Sequence, residues 1–208
     1  MISSKENVSF ENYGIIVLAA GASIRLGKPK QLLEYKGKSL LRHVLNIAKD
    51  VNGQSIIAVL GANSDLISKE IPDDKNIYRI INADWSEGIS SSIRSGLNAL
   101  QQIAPSSDAA LFIVCDQPFI TTSLLNSIIV AQKKTGKFIV ACSYENTIGT
   151  PVLFHKALFP ELMALKGDSG AKKIIMKYPD LLATIPFPQG NIDIDTGADY
   201  MALKNGEK

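Results

Sequence analysis

Short, continuous apolar runs rich in β-branched residues alternate along this chain with amphipathic segments of helical length, and that alternation limits the fold more than any other feature. The runs are GIIVLAA (14–20), SIIAVLG (55–61), IYRIIN (77–82), AALFIVC (109–115) and KFIVACS (137–143). Each lacks the polar-apolar alternation of a half-solvated strand, so each is expected to be a strand buried on both faces, as parallel sheets require. Between them, SLLRHVLNIAKD (39–50) sets Leu40, Val44 and Ile47 at helical spacing behind a Ser39 cap, and SSSIRSGLNALQQI (90–103) and TTSLLNSIIVAQKK (121–134) behave alike. The pattern predicts an α/β, Rossmann-like domain with a doubly wound, mostly parallel sheet, whose ligands bind at the carboxyl ends of the central strands.

Beyond residue 143 the alternation weakens. TPVLF (150–154) reads as a short strand, KALFPELMAL (156–165) as a helix interrupted by Pro160, SGAKKIIMKYP (169–179) as another helix, and LATIPF (182–187) and NIDID (191–195) as two more short strands. These extend the sheet and make it mixed. No linker, repeat or low-complexity segment marks a boundary, so residues 1–208 are expected to form one domain behind a flexible arm over 1–12. With 46% hydrophobic and 20% charged residues the composition is that of a soluble globular protein. The net charge of +2 arises from scattered basic residues rather than a stripe, which argues against a nucleic-acid partner. Cys115 and Cys142 both fall in apolar strands, so they read as core residues in a reduced, cytoplasmic protein. No apolar run approaches the roughly 20 residues that span a bilayer, and MISSKENVSFENYG has no signal-peptide centre, so no membrane is expected.

The stretch LAAGASIRLGKPKQ (18–31) carries the chemistry. It follows the first strand and so opens at the carboxyl edge, where Gly21 and Gly27 allow close backbone approach. Arg25, Lys28 and Lys30 crowd it, with no acid before Glu34. Such a cation load either solvates as a basic turn or neutralises a polyanion, for which Arg offers a planar fork and Lys a point charge. A P-loop is excluded, because Gly21 to Gly27 holds one residue too many and Lys28 precedes Pro29 instead of Ser or Thr. The G-x-G-x-x-G of dinucleotide sites is absent as well.

LAAGASIRLGKPKQLL resembles the L-A-A-G-x-S-x-R-x-G-x-x-K signature of the small nucleotidyltransferases, most closely their molybdenum cofactor cytidylyltransferase branch. Further segments are similar in order: NADWSEGISSSIRSGL (82–97), VCDQPFIT (114–121), GTPVLF (149–154), LKGDSGAKKII (165–175) and DIDTGADY (193–200). The resemblance implies that the backbone of Leu18, Ala19, Ala20 and Gly21, with the charges of Arg25 and Lys30, holds a nucleoside triphosphate, and that Asn82, Gly88, Ser91 and Ser92 border its base and ribose. Gly167, Asp168 and Gly170 would face a phosphorylated acceptor; Lys172, on the helix that follows, either contacts the acceptor's phosphate or is simply solvated. Asp116 and Asp195 would hold Mg²⁺, Asp116 joining Arg25 and Lys30 as catalytic groups. Read without the family, Asp116 starts a turn, Asp195 caps a helix beginning near Ala198, and Asp168 or Ser169 caps the helix that follows.

The implied reaction transfers CMP from CTP to the molybdenum-pterin cofactor and releases pyrophosphate, with a molybdoenzyme as a transient partner. Ala20 stands where guanylyltransferase relatives usually have Gly, which associates the chain with cytidine. GKPKQLL is also similar to the cytidylyltransferase of isoprenoid precursor synthesis, but that family's D-A-x-R-P is missing where Asp116, Gln117 and Pro118 stand. A guanylyltransferase, another small-molecule phosphate cytidylyltransferase and a non-catalytic cofactor insertion chaperone remain alternatives. His43 and His155 are isolated from other ligand types and are assigned no catalytic role, while Trp85 sits in the expected base-binding segment.

Overall fold

The computed structural model describes residues 11–51 and 55–206; the arm expected over 1–12 lies, up to residue 10, outside the described residues. In chain order the elements are β1 (Tyr13–Ala19), β2 (Glu34–Tyr35), β3 (Lys38–Ser39), α1 (Leu40–Lys49), β4 (Ser55–Leu60), α2 (Ser64–Ile67), β5 (Ile77–Ile81) and α3 (Ile89–Ile103). There follow β6 (Ala109–Val114), α4 (Thr122–Thr135), β7 (Ile139–Tyr144), β8 (Thr147–His155), α5 (Phe159–Met163), α6 (Lys172–Lys177), β9 (Leu182–Pro186) and α7 (Gly197–Lys204). Seven strands form one sheet in the order β5-β4-β1-β6-β8-β7-β9. Strand β8 runs antiparallel to both β6 and β7, and the other strand pairs of this sheet among the described residues are parallel. β2 and β3 make a separate ribbon.

Period-two alternation divides β1 between two apolar layers, which is why its run is continuous. Ile15 and Val17 pack with Leu41, Val44 and Leu45 of α1 and Leu125 and Ile128 of α4. Ile16 and Leu18 pack on the other face with Ile93, Leu97 and Leu100 of α3, Leu162 of α5 and Ile174 and Ile175 of α6. The sheet is therefore covered on both sides. From β1 the chain builds outward through β4 to β5, then crosses back by α3 to β6 on the far flank of β1. The strand order thus reverses between β1 and β6, the kind of point at which open α/β sheets bind ligands.

The expected caps differ in outcome. Ser39 caps α1, accepting the Arg42 N–H at 3.2 Å. Asp195 does not cap α7; Thr196 does, in a reciprocal box with Asp199. Neither Asp168 nor Ser169 caps α6, whose first turn follows Ala171 without a side-chain bond. Pro160 occupies the first turn of α5 and starts that helix instead of interrupting one, since its missing N–H has no partner to lose there. β5 is not buried on both faces but lies at the sheet edge, with Ile81 50% exposed. NIDID is not a strand. It follows the short turn Pro188–Asn191, and Ile194 inserts alone into a small cluster with Leu33, Leu40 and Leu203, away from any strand it could pair with.

Among the described residues no helix is long and apolar enough to cross a membrane. Cys115 and Cys142 are free and buried, and burial raises both thiols, that of Cys142 to about 12. Neither is expected to react with an aromatic disulfide reagent at pH 8 while the chain is folded, and both should react after unfolding in guanidinium; prompt labelling of native protein would contradict this packing.

Candidate active site at the carboxyl edge of the sheet

Where β1 leaves the sheet, its loop is fixed by one buried side chain. Gln31 Nε2 donates to the Ala19 carbonyl at 2.8 Å and to the Gly21 carbonyl at 2.9 Å. The Ala62 N–H donates to the intervening Ala20 carbonyl at 3.0 Å. These successive carbonyls are committed to protein donors, so an incoming anion meets none of them as a free negative dipole. Ser23 adopts a left-handed φ of 56° and its Oγ accepts the Lys30 N–H at 3.1 Å, while Gly27, at φ 72°, closes the turn carrying Arg25.

The turn delivers its cations to two carboxylates from remote parts of the chain. Lys30 Nζ lies 2.7 Å from Asp116 Oδ2, just past β6, and 2.8 Å from Asp195 Oδ1, just before α7. Arg25 Nη2 lies 2.6 Å from Asp195 Oδ2. The Ile194 N–H donates to the Asp116 carbonyl at 3.1 Å, which sets the two aspartates side by side. Burial works to lower the Lys30 pKa, but the charge and hydrogen bond of Asp116 and the hydrogen bond of Asp195 outweigh it, so the ammonium is held above its ordinary value. The Asp195 carboxyl is held below its ordinary value, first by the Lys30 hydrogen bond. Asp193 goes the other way: desolvation of its carboxyl, then the charges of Asp116 and Asp195, push it up to about 6. Lys28 stands outside the cluster, its Nζ 5.3 Å from the centre of the Tyr200 ring.

Arg25, Lys30, Asp116 and Asp195 line a cavity of about 690 Å³ whose walls include Leu18, Ala19, Ala20 and Gly21. Trp85, Ser86, Gly88 and Ile89 form the facing wall, with Ser92 and Asp168. Asn82 and Ser91 are brought near it but lie behind it, both buried. Asn82 Nδ2 donates to Ser91 Oγ at 2.8 Å and Ser92 Oγ at 3.1 Å, and the Ser91 hydroxyl donates to the Gly88 carbonyl at 2.8 Å, so these two shape the wall from within. Gly88 has φ 117°, and a Cβ there would stand 2.6 Å from the Gly167 carbonyl carbon, so only glycine lets the two segments meet. Gly61 similarly makes room for Trp85, whose Cβ would lie 2.5 Å from an added Cβ.

Of the expected acceptor residues, Asp168 lines this cavity, whereas Gly170 lines a neighbouring one of about 220 Å³ with Tyr144, Thr147, Thr150 and Lys172. Leu18, Ile89 and Val114 border both. Gly167 supports the wall through its carbonyl, which accepts the Ser90 N–H at 3.2 Å. The Lys172 ammonium bonds the Thr147 hydroxyl. His43 and His155 lie elsewhere: His43 Nε2 meets the Pro118 carbonyl at 3.2 Å and the His155 ring stacks edge-on with Phe138.

Asp116 and Asp195 aim oxygens at one point, the position the Lys30 ammonium takes, and hard carboxylate oxygens suit Mg²⁺ or Mn²⁺. Among the described residues no three or more acidic, His or Cys side chains gather as a metal cage. Two carboxylates that leave the remaining ligand positions to phosphate and water are what a nucleotide-bound Mg²⁺ uses.

The open α/β sheet, the cation-bearing turn after β1 and the paired aspartates at the switch point define a nucleotide-handling transferase. The chain belongs to the MobA-like NTP transferase domain family, whose pattern matches residues 15–181, and it is a nucleotidyltransferase of that family. Nicotine blue oxidoreductase of Paenarthrobacter nicotinovorans is 28% identical over 193 residues, covering 87% of this chain and 91% of its own. The molybdenum cofactor guanylyltransferase of Vibrio atlanticus (strain LGP32) is 28% identical over 168 residues, 79% of each chain. The crystal structure of a homolog of Mycobacterium tuberculosis Rv0371c, from Mycobacterium sp. strain JC1, superposes with a TM-score of 0.79 at 30% identity over 93% of this chain and 96% of that one. A complex of Rv0371c with manganese superposes at 0.75 with 26% identity over 93% and 98%.

Gln31 and Asp193 escape a reading by motif. Gln31 carries no charge and directly follows the conspicuous cations Lys28 and Lys30, and NIDID looks like a strand rather than an ordered tail. Gln31→Leu keeps the bulk but strands the carbonyls of Ala19 and Gly21; it should cost about 1–3 kcal/mol in urea unfolding, and wild-type stability would show that the loop holds itself.

Proposed function

We propose that this chain transfers CMP from CTP to the molybdenum-pterin cofactor, and that the cluster of Arg25, Lys30, Asp116 and Asp195 is where the triphosphate is held and the bond exchanged. The observation that carries the reading is the convergence of two cations and two carboxylates at the β1/β6 crevice, beside a cavity large enough for a nucleotide. An acceptor phosphate oxygen attacks the α-phosphorus in line, the α–β phosphoanhydride bond breaks and pyrophosphate leaves. Positioning and charge neutralisation do most of this work, since no covalent enzyme intermediate is needed. Asp116 and Asp195 would hold Mg²⁺, which when bound offsets negative charge on the phosphate oxygens.

Before ligands bind, the two aspartates hold the Lys30 proton in place, and the ammonium is mostly shielded from water with 14% of its side chain exposed; with Mg²⁺ on the aspartates, the triphosphate would take over as its partner. Arg25, at 71%, reaches from the mouth of the cavity toward the outer phosphates. The uncharged wall of Trp85, Ser86 and Gly88 takes the base and ribose, with Asn82 and Ser91 bracing it and Ser92 facing in. The acceptor enters over Asp168 and Gly170, its less polar part in the smaller cavity and its phosphate within reach of Lys172. The product would pass to a molybdoenzyme.

Purified protein is incubated with Mg²⁺, a molybdopterin-type acceptor and each nucleoside triphosphate in turn, and pyrophosphate release is measured. CTP is expected to be preferred; GTP used alone would assign the chain to the guanylyltransferases, as the name of the Vibrio relative suggests. Since the name of the Paenarthrobacter relative assigns it to another reaction class, NADH oxidation with an indophenol dye is assayed alongside, and none is expected. Binding without release of pyrophosphate by any nucleotide would support a cofactor insertion chaperone.

Lys30→Ala should weaken nucleotide binding by about 1.5–3 kcal/mol, Arg25→Ala by less because it is solvated, and Lys28→Ala least; the reverse order in calorimetry would refute this division of the cations. Asp116→Asn and Asp195→Asn keep the side-chain size but remove the charge that offsets Mg²⁺. Each should lower turnover by about a hundredfold or more, roughly 2.7 kcal/mol in the barrier, in well-folded protein. Near wild-type rates in both would remove the metal site from the mechanism.

A further inference from the structure

Arg94, in α3, joins two segments that line the larger cavity without lining it itself. Its Nη1 donates to the Leu165 carbonyl at 2.7 Å and to Ser90 Oγ at 3.2 Å, and its Nη2 donates to Glu87 Oε2 at 2.6 Å. Glu87 Oε1 accepts the Gly167 N–H at 3.5 Å, and the Gly167 carbonyl accepts the Ser90 N–H at 3.2 Å. The segment carrying Trp85, Ser86 and Gly88 is thereby fastened to the loop carrying Asp168. α3 itself is already anchored in the core by Ile93, Leu97 and Leu100, so the guanidinium is not what holds the helix in place.

The cavity carries its cations at one end only. Arg25 and Lys30 stand on the β1 side, while the wall secured by Arg94 presents an indole, a hydroxyl, a glycine and the Asp168 carboxylate, none of which carries a positive charge. We propose that Arg94 is a positioning residue for the nucleoside half of the ligand: by locking the 165–168 loop onto 85–90, it sets the wall against which base and ribose lie, and leaves the triphosphate end untouched. This rests on the nucleotide reading of the site. A guanidinium suits the task because its fork serves a carbonyl on one side and a carboxylate on the other at once, which a single ammonium does not.

Wild type, Arg94→Ala and Arg94→Lys are titrated calorimetrically with CTP, GTP and inorganic tripolyphosphate, each with Mg²⁺, and amide exchange is followed at Ser90 and Gly167. In Arg94→Ala the nucleotide that wild type prefers should bind about tenfold more weakly, tripolyphosphate should stay within about twofold, and both amides should exchange faster. Arg94→Lys should recover only part of the loss. Unchanged nucleotide affinity in Arg94→Ala, or an equal loss for nucleotide and tripolyphosphate, overturns the proposal. Should Arg94→Ala not fold, Glu87→Gln, which removes only the charge at the exposed end of the tie, carries the same comparison with an expected loss of about threefold. A wild-type protein that binds none of the three ligands overturns the nucleotide reading and this assignment with it, whereas normal wild-type binding with an indifferent variant overturns the assignment alone.

Discussion

The ammonium of Lys30 is the point on which the site depends. It lies 2.7 Å from Asp116 and 2.8 Å from Asp195, and so connects the loop after β1, the end of β6 and the segment leading into α7. Without it two carboxylates would face each other across a few ångströms in a partly desolvated crevice, and each would raise the other's pKa. Asp193 already shows the effect: desolvation first, then the charges of Asp116 and Asp195, push it up to about 6. A half-buried ion pair of this kind is a poor source of net stability, because desolvation and solvent screening offset much of the attraction. Its consequence is geometric: residues 86 and 165 positions away from Lys30 in the sequence are held at one point.

The opposite wall is built on different physics. Gly88 meets Gly167 by backbone contact that any Cβ would block, Asn82 braces Ser91 and Ser92 by hydrogen bonds, and Gly61 leaves room for Trp85. Close packing of this sort has few alternative arrangements, whereas charged groups on a turn can follow a ligand. The cavity thus pairs a polar end that neutralises charge with a sterically defined end suited to telling one uncharged group from another, the division of labour through which buried sites discriminate among substrates.

Relatives of similar identity carry names from two reaction classes, an oxidoreductase and a guanylyltransferase, on chains that align with most of this one. The sheet and its switch point do not select among such activities; they provide a rigid edge, and the loops carried on it supply the chemistry. In this chain the loop after β1 and the two aspartates place two cations and two carboxylates at one edge of the larger cavity, and the segments 85–90 and 165–172 contribute the remaining surfaces of the two neighbouring cavities.

The alternation of apolar runs determined the sheet, its double winding and the location of the site, because strands buried on both faces must be apolar throughout and helices between them must be apolar on one side. Arg25 and Lys30 were legible as part of a cation-loaded turn, because charge and glycine concentrate there after the first strand, whereas Asp116 and Asp195 were singled out through the family resemblance and only the fold brings them to Lys30. The edge position of β5, the reversal of β8 between β6 and β7 and the irregular path of NIDID were not legible, because which strand neighbours which is decided by packing between distant segments. The same holds for Gln31, Asp193 and Arg94, whose importance lies entirely in partners far along the chain or in a local field made by three segments at once. Sequence sets the chemistry each residue carries and the period with which it is buried. Only the folded chain, by closing long loops against their entropy, decided which of those chemistries meet.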